Sequence, residues 1–158
     1  MRIKAARLGI WLISSESGSA SVMYGDDEEK PPRVQPRIIG APKVRSLFWC
    51  DFPKDAQLPE FWKRRPVIII SPKSTYHGVA TVVPCSTHSQ PQNPWAVKLK
   101  TSIDGKNQSW AVCDKITTVA VSRLSAGHLG LIRITDEEFE MVKALIWKWL
   151  PAPGKPGP

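Results

Sequence analysis

Arg64-Arg65-Pro66-Val67-Ile68-Ile69-Ile70-Ser71-Pro72 is the stretch that decides the fold class. Pro66 to Ser71 is an unbroken apolar run of mostly β-branched residues, stopped by Pro72. That pattern marks a central strand buried on both faces. A second β-branched run, Val79 to Val83, ends at Pro84. Only Lys73 to Gly78 separates the two, a length that suits a hairpin connection.

Working outward, Leu47-Phe48-Trp49-Cys50-Asp51-Phe52 is aromatic-rich and ends at Pro53, so it reads as a first strand. Downstream, Trp95-Ala96-Val97-Lys98-Leu99 alternates in the manner of a half-buried strand. Ser109 to Cys113 and Ile116 to Val121 supply two more strands, or one bent strand, around Asp114-Lys115. Gly127 and Gly130 mark turns. The last element is a helix. Thr135-Asp136-Glu137-Glu138 has the form of a capping box, and Phe139, Val142, Leu145, Ile146 and Trp149 recur at helical spacing until Pro151. The expected architecture is mainly β: five or six mostly antiparallel strands followed by a C-terminal helix.

This core is expected to occupy residues 44–150. Residues 1–43 carry a Ser/Gly patch, the acidic run Asp26 to Glu29 and a proline-spaced basic segment, Lys30 to Lys43. Such a composition buries too little apolar surface to offset its ordering entropy, and reads as a flexible extension. The alternative is upstream sequence outside the natural coding region, with Met23 or a later start in use. Residues 151–158 form a Pro/Gly tail.

The 158 residues carry a formal net charge of +8 and a pI of about 9.6, a surplus that suits a polyanionic partner, nucleic acid or an acidic protein. Fifteen prolines argue against a helical bundle. Three cysteines, Cys50, Cys85 and Cys113, lie in or beside apolar runs without CxxC spacing. They are expected to be buried, reduced thiols rather than disulfides or zinc ligands. No stretch approaches the apolar length of a membrane span, and the short run Leu8 to Ile13 falls below a secretory core, so the cytoplasm is expected.

Three features can carry chemistry. Lys63-Arg64-Arg65 stands at the mouth of the buried strand, where an arginine fork can hold a phosphate; the plainer alternative is a solvated loop end. Pro84-Cys85-Ser86-Thr87-His88-Ser89 is a hydroxyl-rich corner with a histidine able to move protons, or simply a Ser/Thr turn. Asp114 is a candidate base, or a turn cap pairing with Lys115. Nucleophile-elbow, P-loop, dinucleotide and HExxH signatures are all missing, and His77, His88 and His128 lack metal-site spacing. No metal or cofactor is expected.

Four pieces in order, Trp49-Cys50-Asp51-Phe52, Arg64 to Ser71, Val83 to Thr87 and Cys113-Asp114-Lys115-Ile116, resemble the MazF/PemK toxins of bacterial toxin–antitoxin systems. The resemblance covers roughly residues 46 to 150. It implies a small SH3-like barrel of the CcdB/MazF type, a homodimer that cuts single-stranded RNA (mRNA), and a cognate antitoxin protein that blocks the site. It also implies catalytic roles for Arg65, Ser86 and Asp114. Arg64, Thr87, His88, Trp49 and Lys63 are the expected substrate-binding residues, with Phe61 and Trp62 as further stacking faces. Two positions depart from the family's pattern. Val112 stands where an arginine is usual, leaving acid chemistry to Arg65 or His88, and Arg45-Ser46 replaces the usual Gly-Asp. A second class stays open, a non-catalytic toxin or decayed homologue that grips a protein as the CcdB gyrase poisons do.

Overall fold

A computed structural model describes residues 10–11, 23–24, 30–72 and 78–151 of the chain. The chain divides into two units, 1–33 and 34–158. In the first, β1 (Ile10–Trp11) pairs antiparallel with β2 (Met23–Tyr24). The rest of that segment, the Lys73 to His77 part of the expected hairpin loop and most of the C-terminal tail lie outside the described residues.

The second unit is an eight-stranded antiparallel curled sheet closed by one helix. Its strands are β3 (Ser46–Cys50), β4 (Arg65–Ile69), β5 (Val79–Ser86), β6 (Ala96–Leu99), β7 (Ser109–Val112), β8 (Thr117–Ala120), β9 (Leu124–Ser125) and β10 (Ile132–Arg133). The spatial order is β10-β3-β4-β5-β7-β6, with β8 on β5 and β9 on β3. The helix α1 spans Asp136–Trp149. The mainly β, SH3-like class read from the sequence is the class observed.

The apolar runs of β3, β4 and β5 are continuous because both faces are buried. Leu47, Ile68, Val83 and Cys85 join Val142 of α1 in one core cluster, while Phe48, Cys50, Val67, Ile69 and Val82 join Val119 and Leu124 in the other. Alternate residues of each strand thus serve opposite cores. All three cysteines are buried and unpaired. Burial pushes the Cys50 thiol up to about 11 and the Cys113 thiol up to about 12.

Pro84 does not stop its strand, contrary to the sequence expectation; β5 runs on to Ser86 with Pro84 fully buried. The proline changes the strand's partners instead. Ile70 N–H donates to Thr81 O at 3.0 Å, so pairs along β4 and β5 alternate from there between bonded and non-bonded. On that alternation Val67 and Pro84 form a non-bonded pair, and the missing N–H of Pro84 faces away from β4. On that far side, β8 pairs with β5 up to Val82↔Thr117, and β7 resumes at Cys85↔Ala111. Three steps of β5 are therefore matched by six steps of its partner, and Val112 to Ile116 bulge outward beside the proline that cannot donate. The two segments around Asp114 are one bent path along β5.

Arg45 explains the missing Gly-Asp. Its φ is 72°, in the left-handed region that favours glycine and costs another residue about 1 kcal/mol. Its guanidinium offsets that cost, donating from Nη2 to Ile134 O at 3.0 Å and from Nε to the same oxygen at 3.2 Å, and pairing with Asp136. The neighbouring Ser46 is fully buried.

Glu138 fastens the helix. The capping box forms as read, Thr135 Oγ1 accepting from Glu138 N–H at 3.2 Å and Glu138 Oε2 from Thr135 N–H at 2.8 Å. The same fully buried carboxylate also accepts from Lys100 N–H (2.6 Å), Thr101 N–H (2.8 Å) and the Thr101 hydroxyl (2.7 Å), which ties α1 to the end of β6. Burial opposes ionisation, but the donors from Thr101 and Thr135 outweigh it and hold the carboxyl down at about 2. A pKa depressed in the fold stabilises above the ordinary value of 4.5, and that stabilisation is lost as pH falls through about 2. Glu138→Ala is expected to cost roughly 3 kcal/mol at neutral pH in urea denaturation, with the gap to wild type narrowing as pH falls through this window.

Candidate active site

Arg65 opens β4 opposite Cys50 of β3. It shares the face of Val67, and its guanidinium carbon lies 4.7 Å from the centre of the Phe61 ring. Ser86 closes β5 on the same side as Val82, by the two-residue period. Extending the β4–β5 register by two residues brings Arg65 opposite Ser86, on neighbouring strands and one face. The recorded pairing stops just short of this, at Val67↔Pro84, and the reason is again a proline. The next pair, Pro66 with Cys85, would be a bonded one, and Pro66 has no N–H to donate. The ladder loses one of the two bonds of that pair, just before the arginine and the serine.

Asp114 occupies the bulge on the other flank of β5. Its carboxylate is mostly buried, 19 % exposed, and lies 3.7 Å from Lys115 Nζ. Together with Phe52, Glu60, Phe61 and Thr117 it lines a cleft of about 360 Å³. Phe61 is the shared element, one of the cleft's walls and the platform of Arg65.

Among the described residues, Arg65 Nε and Asp114 Oδ1 are buried polar atoms without a hydrogen-bond partner; Ser46 Oγ is the third such atom. A buried donor or acceptor left unpaired costs about 1–3 kcal/mol. A donor and an acceptor, both unspent and set around one ring, are suited to a ligand that offers both kinds of partner. Burial also lowers the pKa of Arg65 below its ordinary value, although a guanidinium stays charged at neutral pH.

Ser86 is buried (4 % exposed), and its Oγ accepts from His88 N–H at 3.2 Å, the hydroxyl turn that was the plainer reading of this corner. That bond does not use the hydroxyl proton. Thr87 and His88 are exposed at the rim.

The remaining candidates are directed elsewhere. Trp49 packs partly into the helix-side core, on the opposite face of the sheet from Arg65. Arg64 lies 5.3 Å over its ring and donates to Ser125 Oγ at 3.1 Å. Lys63 is exposed and lies 4.4 Å over Trp62. Consecutive arginines therefore point to opposite faces, as β alternation requires. Val112, in β7 opposite Ala96, is 5 % exposed, so an apolar side chain fills the position where the resemblance expects a cation. Sequence reasoning missed Arg37 and Arg123, which gather with Arg64 around Asp51. The basic, proline-spaced segment containing Arg37 was the available signal. Among the described residues no group of three or more His, Cys, Asp or Glu side chains is arranged to hold a metal ion, and no helix is long and apolar enough to cross a membrane.

A curled antiparallel sheet with a C-terminal helix is the fold of the MazF-type toxins. MazF (Form-I) from Deinococcus radiodurans has a TM-score of 0.56 at 20% identity, over 68% of this chain and 94% of that one. The MazE–MazF complex (Form-II) from the same organism gives 0.53 at 18%, over 68% and 93%. An endoribonuclease in complex with its cognate antitoxin from a mycobacterial species gives 0.52 at 20%, over 72% and 100%. None of the curated proteins matches the chain. The family model described as "PemK-like, MazF-like toxin of type II toxin-antitoxin system" matches residues 43–150. The chain belongs to this toxin family.

The unpaired atoms make a testable statement about stability. Arg65→Met keeps an unbranched stem against Phe61 and deletes the buried, unpartnered donor. Its unfolding free energy from urea denaturation is expected to equal that of wild type or exceed it by up to about 1 kcal/mol, the pattern of a residue retained for function rather than for the fold.

Proposed function

We propose that this toxin is an endoribonuclease that cuts single-stranded RNA by attack of a 2′-hydroxyl on the adjoining phosphate, without a metal. It acts as a homodimer in the cytoplasm and is restrained by a cognate antitoxin. The observation that carries the reading is the pair of buried, unpartnered atoms, Arg65 Nε and Asp114 Oδ1, set around Phe61. The relatives described as an endoribonuclease with its cognate antitoxin, and as MazE–MazF complexes, support the activity and the partner.

The reaction needs one proton withdrawn, one delivered, and charge stabilised on phosphorus. Asp114 takes the 2′-hydroxyl proton; O2′ then bonds to phosphorus as the P–O5′ bond breaks, leaving a 2′,3′-cyclic phosphate and a 5′-hydroxyl. Arg65 and the Ser86 hydroxyl donate to the non-bridging oxygens, a kind of preorganised donor worth about 10²–10³ each. Partial burial of Arg65 strengthens its attraction for a phosphate over that of a fully solvated guanidinium. The departing O5′ takes its proton from the Arg65 guanidinium or from protonated His88, which is exposed. Thr87, Lys63, Arg64 and Trp49 contact flanking phosphates and bases. DNA lacks the nucleophile and is not cut.

Val112 in place of an arginine favours a second reading, a toxin that binds a protein target and cuts nothing. Purified protein incubated with unstructured RNA in EDTA separates the two. Cleavage by wild type, reduced at least 10²-fold in Arg65→Ala and Asp114→Asn and absent on a strand with 2′-deoxyribose throughout, is the expected result. Intact RNA together with gyrase arrest would establish the binder.

A further inference from the structure

Asp51, the residue after β3, is the meeting point of three arginines from three parts of the chain. Arg37 pairs with its carboxylate, and Arg64 Nε lies 3.6 Å from Asp51 Oδ1. Arg123 Nη1 donates to the Asp51 carbonyl at 3.1 Å, and Arg37 Nη2 lies 3.3 Å from the Arg123 carbonyl. Two guanidiniums thus face the Asp51 carboxylate and a third is held by the main-chain carbonyl of the same residue, a local surplus of two positive charges. The cluster is open to solvent: the Arg37, Arg64 and Asp51 side chains are 50 %, 55 % and 42 % exposed. Each guanidinium has five N–H donors, and the contacts named here use only a few of them.

Two features make this more than a surface ion pair. Arg64 is the immediate neighbour of Arg65, and Asp51 follows Cys50, the residue opposite Arg65, so the cluster adjoins the scissile position at the same end of the β3–β4 pair. Arg64 also lies over the Trp49 ring, a guanidinium–aromatic platform of the kind that single-stranded nucleic acid stacks on. Arg37 lies outside residues 43–150, the part matched by the family model, so it is an addition of this chain to the toxin domain. Its segment is anchored there, with Ile38 packed on the sheet's second core cluster.

We infer that Arg37, Arg64 and Arg123, gathered on Asp51, form a phosphodiester-binding subsite for single-stranded RNA flanking the cleavage position, completed by the segment that precedes the family domain. The inference rests on the ribonuclease reading for its ligand, and its test is separable from that reading. The probe is a fluorescent, mixed-sequence single strand carrying 2′-O-methyl groups throughout, which cannot be cut.

Arg37→Gln is expected to weaken binding of this probe about fivefold at low salt, Arg37→Glu to weaken it further, and Arg37→Lys to retain most of it. The slope of log affinity against log salt should fall by about 0.7 for the lost phosphate contact. On cleavable RNA the change should fall on KM and not on kcat. Because Arg37 is half exposed, thermal melts of the three variants should match wild type. Equal probe affinity and equal salt slope across the series would overturn the inference. So would a loss confined to an acidic peptide with RNA binding intact, which would make the cluster a protein-docking site. Failure of wild type to cut any RNA bears on the proposed function alone, because the probe titration still decides the subsite.

Discussion

A proline in a strand has no N–H to donate, and Pro66 and Pro84 sit at the same end of two neighbouring strands. Pro66 withholds the donor that would carry the β4–β5 ladder to its next bonded pair, and Pro84 withholds the one that would carry β8 straight into β7. The first omission thins the ladder just before Arg65 and Ser86. The second forces Val112 to Ile116 outward and puts Asp114 on the wall of the cleft.

Stability and chemistry are carried by different parts of the molecule. Glu138, as deeply buried as any residue in the core, has a donor for each of its oxygens and ties helix to sheet. Arg65 and Asp114 are partly buried polar groups with atoms left unpaired, a cost the doubly packed strands β3 to β5 can bear. Val112 adds to the contrast. Its isopropyl group leaves an apolar side chain where the family resemblance expects a cation.

Sheet alternation also divides the basic residues. Arg65 turns toward Phe61, whereas Arg64 turns to Trp49, Ser125 and the Asp51 cluster. The two sides share one end of the β3–β4 pair. The net charge of +8 is thus partly concentrated near one edge of the sheet, and the segment before the family domain contributes to it through Arg37.

Residue pattern alone was enough for the β class, for β3 to β8 to within a few residues, and for the helix with its cap. Those features rest on short-range physics: β-branched runs, alternation, and a Thr/Glu pair at capping distance. The strand-end arginine, the hydroxyl corner and Asp114 were visible as residue types in suggestive contexts, each with a structural explanation equally at hand. Two-residue strands β9 and β10 were not legible, because they are defined by their pairing with β3 and not by any run of their own. Nor was the part played by Pro84, which reads locally as a stop and acts as a change of partners only because β5 has neighbours on both sides. The gathering of Arg37, Arg64 and Arg123 on Asp51 likewise belongs to tertiary structure: residues up to 86 positions apart meet there, and no spacing in the chain encodes their proximity.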